Sequence, residues 1–407
     1  MRILHIGKFF PPHPGGIERT SADLCAALAA RGVSVAMLAH AQPGTRCSHR
    51  VRTDEVEVTL AACHGQWLYA PVSPTFPWQL KQTIQRFRPD LLHLHLPNTS
   101  AFWALMLPSA RRVPWVVHWH ADIPLDSRHA GLRLAYRLYR PWEQAMLRRA
   151  RAVIATSAPY RDSSPALAPW RDKTRVIPLG LPPVPSDNAD AVDSTSIKWP
   201  SDGVRLLAVG RLSYFKGFDV LLRAVAQVPA ISLVLIGDGE CGNDLRRLAR
   251  ELGIDARVKF AGRIDMDPAG TATLAAAYAA AEIFCLPSTE RAESFGLVLL
   301  EAMRAGLPTV ASDISGSGVG YVVRDGESGL LVPPGDVAAL AAALRRLADD
   351  AGLRRRLGVS GARCWREEFT LDRAAERTLA LYRELLEPTA RPGKASPAAS
   401  LSPGSDA

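Results

Sequence analysis

Four short loops hold the residues best suited to chemistry, each just after an apolar run. In RAESFGLVLLEAMRAGLPTVAS (291–312), Glu293 and Glu301 bracket an apolar stretch, with Gly296 between them. Carboxylates in such surroundings seldom stand without partners, so they face water or meet donors such as ribose hydroxyls. In VGRLSYFKGFD (209–219), Arg211 and Lys216 share a loop with Gly210 and Gly217. Two cations near a helix start make an anion site suited to a diphosphate; two solvated loop charges are the alternative. In GKFFPPHPGGIE (7–18), Gly15 and Gly16 let the backbone approach a ligand where a helix begins, or they simply make a turn. In HWHAD (118–122), His118 and His120 alternate and share one face of a strand. His120 reads as a sugar- or phosphate-contacting imidazole, with a core histidine held by backbone as the alternative. His93 and His95 read as core histidines. A metal site needs a third and fourth ligand, and none stands at a suitable spacing. Asp265 and Asp267 of DMD read as a loop and helix cap.

The elements that position these loops alternate between strand and helix. RILHI (2–6), VSVAMLAH (33–40), DLLHLHL (90–96), PWVVHWH (114–120) and AVIATS (152–157) read as buried parallel strands. Helices are expected from Ile17 to about Arg31 and from about Ala130 to Arg151. The pattern restarts at VRLLAVG (204–210) and continues through ISLVLIG (231–237), RVKFAG (257–262), EIFCLPS (282–288) and LPTVAS (307–312). A helix starting near Phe295 or Gly296 leaves Glu293 ahead of its free amides and Glu301 inside it. In GDGE (237–240), Gly237 ends a strand and Glu240 begins a helix. Such alternation predicts an α/β protein with parallel sheets covered by helices, ligands sitting at the carboxyl ends of strands.

At 407 residues the chain is too long for one ordinary core. We expect domains at 1–185 and 203–370, a Pro/Ser/Asp-rich linker at 186–202, a helix at 371–387 and a disordered tail at 388–407. No eighteen-residue apolar run marks a membrane span, and the N-terminus does not read as a signal peptide. Six scattered cysteines without a Cys-x-x-Cys pair fit a reduced cytoplasm. Lys and Arg outnumber Asp and Glu by 23 to 11 over residues 1–185 and trail them, 26 to 29, over the rest. All ten histidines also lie in the first half. The basic half suits an anionic partner such as a membrane surface or phosphorylated acceptor. Nucleic acid is not expected, because aromatic–basic stacking motifs are missing.

Taken in order, GGIE, HAD, GRLSYFKG, GDGE, FAGRI, the Glu-x7-Glu pair and DGESGLLVPPGD resemble glycosyltransferase family 4. The resemblance spans nearly the whole chain before the tail. It implies GT-B architecture: two Rossmann-like domains facing across a cleft, with the C-terminal helix crossing back to the first. It implies a retaining, metal-independent enzyme without cofactor that uses a nucleotide sugar. By that resemblance Arg211 and Lys216 hold the donor diphosphate, and Glu293 binds sugar hydroxyls. The amides around Phe295, Gly296 and Leu297 hold phosphate or sugar oxygens, and Glu301 takes the ribose. Gly16 approaches the diphosphate, His120 contacts the sugar, and Arg263 of FAGRI lies near the base. Finer likeness, in KFFPPHPGGIER, ATSAPYRDSSPAL and VIPLGL, is to bacterial mannosyl- or D-rhamnosyltransferases of O-antigen and exopolysaccharide assembly. These use GDP-sugars and a lipid-linked saccharide acceptor on the cytoplasmic face. ISGSGVGYVV (314–323) departs from a Gly-Val-Pro-Glu turn that many relatives carry, so base and sugar preference stay open. A UDP-sugar transferase or a GT-B-fold epimerase is the alternative. Arg133, Arg137 and Arg140 fall on one helical face that meets anionic lipid or remains solvated.

Overall fold

The computed structural model describes residues 1–53, 56–67, 70–123, 130–183, 198–264 and 267–387. The expected tail at 388–407, most of the expected linker, and Asp265 lie outside the described residues. Asp267 does cap a helix, accepting from the Gly270 amide at 2.7 Å.

The first domain is built on β1 (Arg2–Phe9), β2 (Ser34–His40), β3 (His49–Thr53) and β4 (Val56–Ala61), with a small ribbon β5 (Gly65–Trp67) and β6 (Ala70–Val72). It continues through β7 (Leu91–Leu96), β8 (Trp115–Trp119), β9 (Ala152–Ala155) and β10 (Thr174–Val176). Eight of these form one sheet in the order β10-β9-β8-β7-β1-β2-β4-β3. All neighbours are parallel except β3, which pairs antiparallel at the edge and is exposed throughout. The second domain has β11 (Val204–Val209), β12 (Ile231–Ile236), β13 (Val258–Gly262), β14 (Ile283–Leu286), β15 (Thr309–Ser312) and β16 (Gly329–Val332). They form a wholly parallel sheet in the order β13-β12-β11-β14-β15-β16. Strands such as β7, β8, β12 and β14 are buried at every residue. Parallel sheets covered on both faces demand such unbroken apolar runs, which is why they were readable.

Five helices frame the cleft and the crossing between domains: α1 (Gly16–Ala30), α2 (Ala130–Arg149), α3 (Pro268–Ala280), α4 (Leu297–Arg304) and α5 (Leu371–Leu386). Helix α2 stops two residues short of the expected Arg151, whose amide instead bonds the Trp115 carbonyl at 2.8 Å and leads into β9. Helix α5 returns to the first domain. Its Ala375, Leu379 and Tyr382 pack with Leu24, Leu28 and Ile177, and Arg31 bonds Asp372 at 2.6 Å. The outgoing and returning segments are paired at the crossing. The Leu181 amide donates to Phe369 O at 3.0 Å, and the Leu371 amide to Leu181 O at 2.9 Å.

Candidate active site

The loops after β11 and β14 form the second domain's side of the site. A Cβ on Gly237 would lie 1.9 Å from the Gly210 carbonyl oxygen, so the loops after β12 and β11 touch backbone to backbone. Lys216 lies in the β11 loop and bonds Glu293 Oε2 at 2.6 Å, and Ser288 Oγ donates to the same oxygen at 2.9 Å. Both partners of this ion pair are largely buried, with side chains 13% and 10% exposed. Arg211, from the same loop, is exposed and bonds Glu240 of the GDGE turn at 3.1 Å. Arg263 is exposed just beyond β13.

Gly296 precedes α4 with φ 80°, a left-handed conformation that a side chain would strain. Phe295 contributes backbone only, since its ring is buried against Phe369. One turn into α4, Glu301 is 5% exposed. Its Oε2 accepts from the Tyr278 hydroxyl of α3 at 2.8 Å, and its Oε1 from Arg19 of α1 at 2.8 Å.

That last contact crosses the domains. Helix α1 begins at Gly16 directly opposite α4, where an added Cβ on Gly16 would meet Leu297 Cδ2 at 3.7 Å. The first residues of the two helices therefore lie close together. The first amides of any helix lack intrahelical acceptors and carry partial positive charge, an arrangement suited to an anion. Gly15 lies against the Glu18 carboxylate, which folds back over the helix start: an added Cβ would fall 2.0 Å from Glu18 Oε2. Burial raises the Glu18 carboxyl above the usual range, and burial also lowers Lys8 nearby.

The HAD loop meets the second domain alongside. Arg291 donates to Asp122 Oδ2 at 2.6 Å and to Ser163 Oγ at 2.9 Å, and its guanidinium covers the Tyr160 ring at 4.1 Å. The departing turn, ISGSG, braces the same region. Ser317 Oγ donates to the Glu293 carbonyl, Ser163 Oγ donates to Gly316 O at 2.8 Å, and the Gly318 amide donates to Ser294 O at 2.9 Å. Next to the Asp122–Arg291 bridge opens a cavity of about 550 Å³ lined by Tyr136, Arg140, Tyr160 and Glu290, a volume fit for a ligand of small-molecule size.

Residues 203–350 match the family described as glycosyl transferases group 1, and residues 15–180 match the glycosyl transferase 4-like domain. The D-rhamnosyltransferase WbpZ of Pseudomonas aeruginosa is 30% identical over 91% of this chain and 92% of its own. This chain belongs to the group 1 glycosyltransferases. The O-antigen chain mannosyltransferase C of Escherichia coli is 29% identical to this glycosyltransferase, over 95% of this chain and 99% of its own. Among solved structures, Anabaena HepE in complex with UDP superposes with a TM-score of 0.70 at 23% identity, over 94% of this chain and 100% of that one. The glycosyltransferase thus has the GT-B fold.

Several residues of the glycosyltransferase site gave no separate signal. Arg19 stands within GGIER and Arg291 at the head of the Glu-x7-Glu segment, but nothing in their spacing shows that they bridge domains. Tyr278 lies in an Ala-rich helix with no motif. His120 holds a further difference. It is 4% exposed, and its Nε2 shares a hydrogen bond with His95 Nδ1 at 2.9 Å. His93 and His95 are buried as expected, yet their partners are other rings and not the backbone. His5 pairs with His95 at 3.0 Å, His93 with His118 at 3.3 Å, and His93 with the Tyr382 hydroxyl of α5. Strand register does this: His5 lies beside His93, and His95 beside His118. Linear spacing offers no third ligand beside His118 and His120, but across the strands His95 stands with them. Register across β1, β7 and β8 is invisible in linear spacing.

Proposed function

We propose that the chain moves a hexose, mannose or D-rhamnose, from a GDP-sugar to a lipid-linked saccharide in bacterial O-antigen or exopolysaccharide assembly. One observation carries the donor part: two helix starts, at Gly16 and Leu297, lie close together beside the Lys216–Glu293 and Arg19–Glu301 ion pairs. The diphosphate would lie across the amides near Gly16 and Gly296–Leu297, with Lys216 and Arg211 balancing its charge. Glu301 would accept ribose hydroxyls, since a carboxylate has room for more than the two donors it now holds. Glu293 would receive sugar hydroxyls, His120 being buried against His95, and Arg263 would lie toward the base. The bond between sugar C1 and the β-phosphate oxygen breaks as the acceptor oxygen bonds C1. The acceptor proton then passes to the departing phosphate. Fixed cations stabilise the leaving charge, so the transfer needs no metal or other cofactor. The likeness to a mannosyltransferase and a D-rhamnosyltransferase over almost their whole lengths supports the hexose.

The acceptor side is supported by α2. Arg133, Arg137 and Arg140 are exposed, and beside them Leu134, Leu138 and Trp142 are 63%, 72% and 44% exposed. Apolar and basic residues together on one helix suit the interface of an anionic bilayer. Among the described residues no helix is long and apolar enough to cross a membrane. Peripheral attachment at the inner face of the cytoplasmic membrane would bring a lipid-linked acceptor to the cavity beside Arg140.

HepE with UDP keeps one second reading alive, a UDP-sugar donor. Thermal shift with GDP, UDP, ADP and their sugars, each with and without EDTA, decides. A GDP-specific shift that survives EDTA is expected. A UDP-only shift overturns the donor, and no shift with any nucleotide overturns the site.

A further inference from the structure

Five imidazoles, His5, His93, His95, His118 and His120, share one face of the β1-β7-β8 sheet, all of them 4% exposed or less. Their rings stack at centroid separations such as 4.5 Å for His5–His93, 4.6 Å for His93–His95 and 4.1 Å for His118–His120. Ten ring nitrogens must be satisfied. Tracing the hydrogen bonds leaves two that have no partner among the described residues, His118 Nε2 and His120 Nδ1. Buried polar atoms are rarely left so.

Both orphaned rings, together with His95, line a cavity of about 20 Å³ closed by Thr20, Ser21 and Thr378. That is room for one water or one ion. The three hydroxyls donate to carbonyls of their own helices, at 2.8 Å, 3.0 Å and 2.7 Å respectively. Their lone pairs stay available to a water held in the cavity.

We propose that His95, His118 and His120 form a binding site for one divalent ion of the zinc class. One ring nitrogen from each lies within 4.8 Å of the other two. Tetrahedral zinc with bonds of about 2.0–2.1 Å wants nitrogens roughly 3.4 Å apart, so small ring rotations close the set. The surroundings match the usual support of such ligands, whose second ring nitrogen is held by a hydrogen bond. His95 Nε2 is held by His5 Nδ1, and His118 Nδ1 by His93 Nε2. His5 and His93 are in turn anchored on the Tyr382 hydroxyl. His118 Nε2 and His120 Nδ1 have no partner among the described residues, and His95 Nδ1 becomes a ligand by giving up its 2.9 Å hydrogen bond to His120 Nε2. The alternative triad, His5, His93 and His95, has its nitrogens already engaged among themselves, their neighbours and Tyr382.

The test uses the full chain without a histidine tag, stripped by chelator and then titrated with Zn²⁺ against a chromophoric chelator, and with Co²⁺ by absorption. We expect one ion per chain and the intense visible bands of tetrahedral cobalt. X-ray absorption at the zinc edge of the unmodified chain should count three imidazoles, a measurement that needs no variant to fold. His118→Gln should weaken binding at least tenfold, whereas replacing the exposed His49 and His64 by Gln should leave it unchanged. Loss of the ion with the His49/His64 variant, or a folded chain that retains no zinc because the cavity holds only water, overturns the proposal.

Discussion

Replacing Lys216 by Met separates catalysis from stability. Its Nζ lies 2.6 Å from Glu293 Oε2, with both side chains about nine-tenths buried. Without Lys216, the carboxylate keeps only the Ser288 hydroxyl. Exposed pairs are worth about 0–1 kcal/mol, and breaking a fully buried one costs about 3–5 kcal/mol. This pair lies between, so the variant should lose about 2 kcal/mol. For a domain of this size that lowers Tm by roughly 4–8 °C. Turnover should fall further, by about 10²–10³, the usual effect of removing one preorganised group that meets developing charge. Nucleoside diphosphate release, measured with the donor that gives the largest thermal shift, supplies the rate. The double variant Lys216→Met/Glu293→Gln removes the stranded charge and should recover most of the Tm while staying inactive. Recovery of turnover in the double variant, or turnover within threefold of the parent in the single one, would refute the role given to Lys216.

Three further outcomes are expected. Glu301→Ala should weaken nucleoside diphosphate binding by about 10–100-fold, for the loss of hydrogen bonds to a charged group. Calorimetry should show no such loss with the 2′,3′-dideoxy nucleotide, and an equal loss would remove ribose from the argument. Reversing Arg133, Arg137 and Arg140 to Glu should abolish sedimentation with anionic vesicles, each charge being worth about 1 kcal/mol near such a surface. Unchanged binding would make that face a solvated one. Acidification should destabilise the first domain. The five histidines have folded pKa values lowered by burial, His5 and His118 to about 3, so their contribution is full above about pH 6.5 and is lost as pH falls below it. Each contributes a slope of about 1.4 kcal/mol per pH unit in that window. A urea midpoint that stays flat from pH 7 to pH 5 would contradict it.

The sheets were legible because parallel strands buried on both faces must be apolar throughout, as LLHLHL and ISLVLI are. Glu293, Glu301 and Lys216 were legible as polar exceptions to apolar context. Their cross-domain partner Arg19 was not, because 282 residues separate it from Glu301. The histidine cluster was half legible. The alternation in HLH and HWH gave a shared face within each strand, but only the register of β1, β7 and β8 joins them. The edge strand β3 was missed because HRVRT is exposed at every residue and gives no burial pattern.

The double crossing between domains has a consequence for synthesis. The first domain is complete only when α5 packs on Leu24, Leu28 and Ile177 and Tyr382 reaches His93. Those residues are made after the whole second domain. At about 5–20 residues per second, the two hundred or so intervening residues take roughly 10–40 s. During that interval the newborn first domain leaves the α5 side of its histidine layer and an apolar groove uncovered, waiting on a helix not yet translated. Completion of the first domain therefore waits on residues translated after the second.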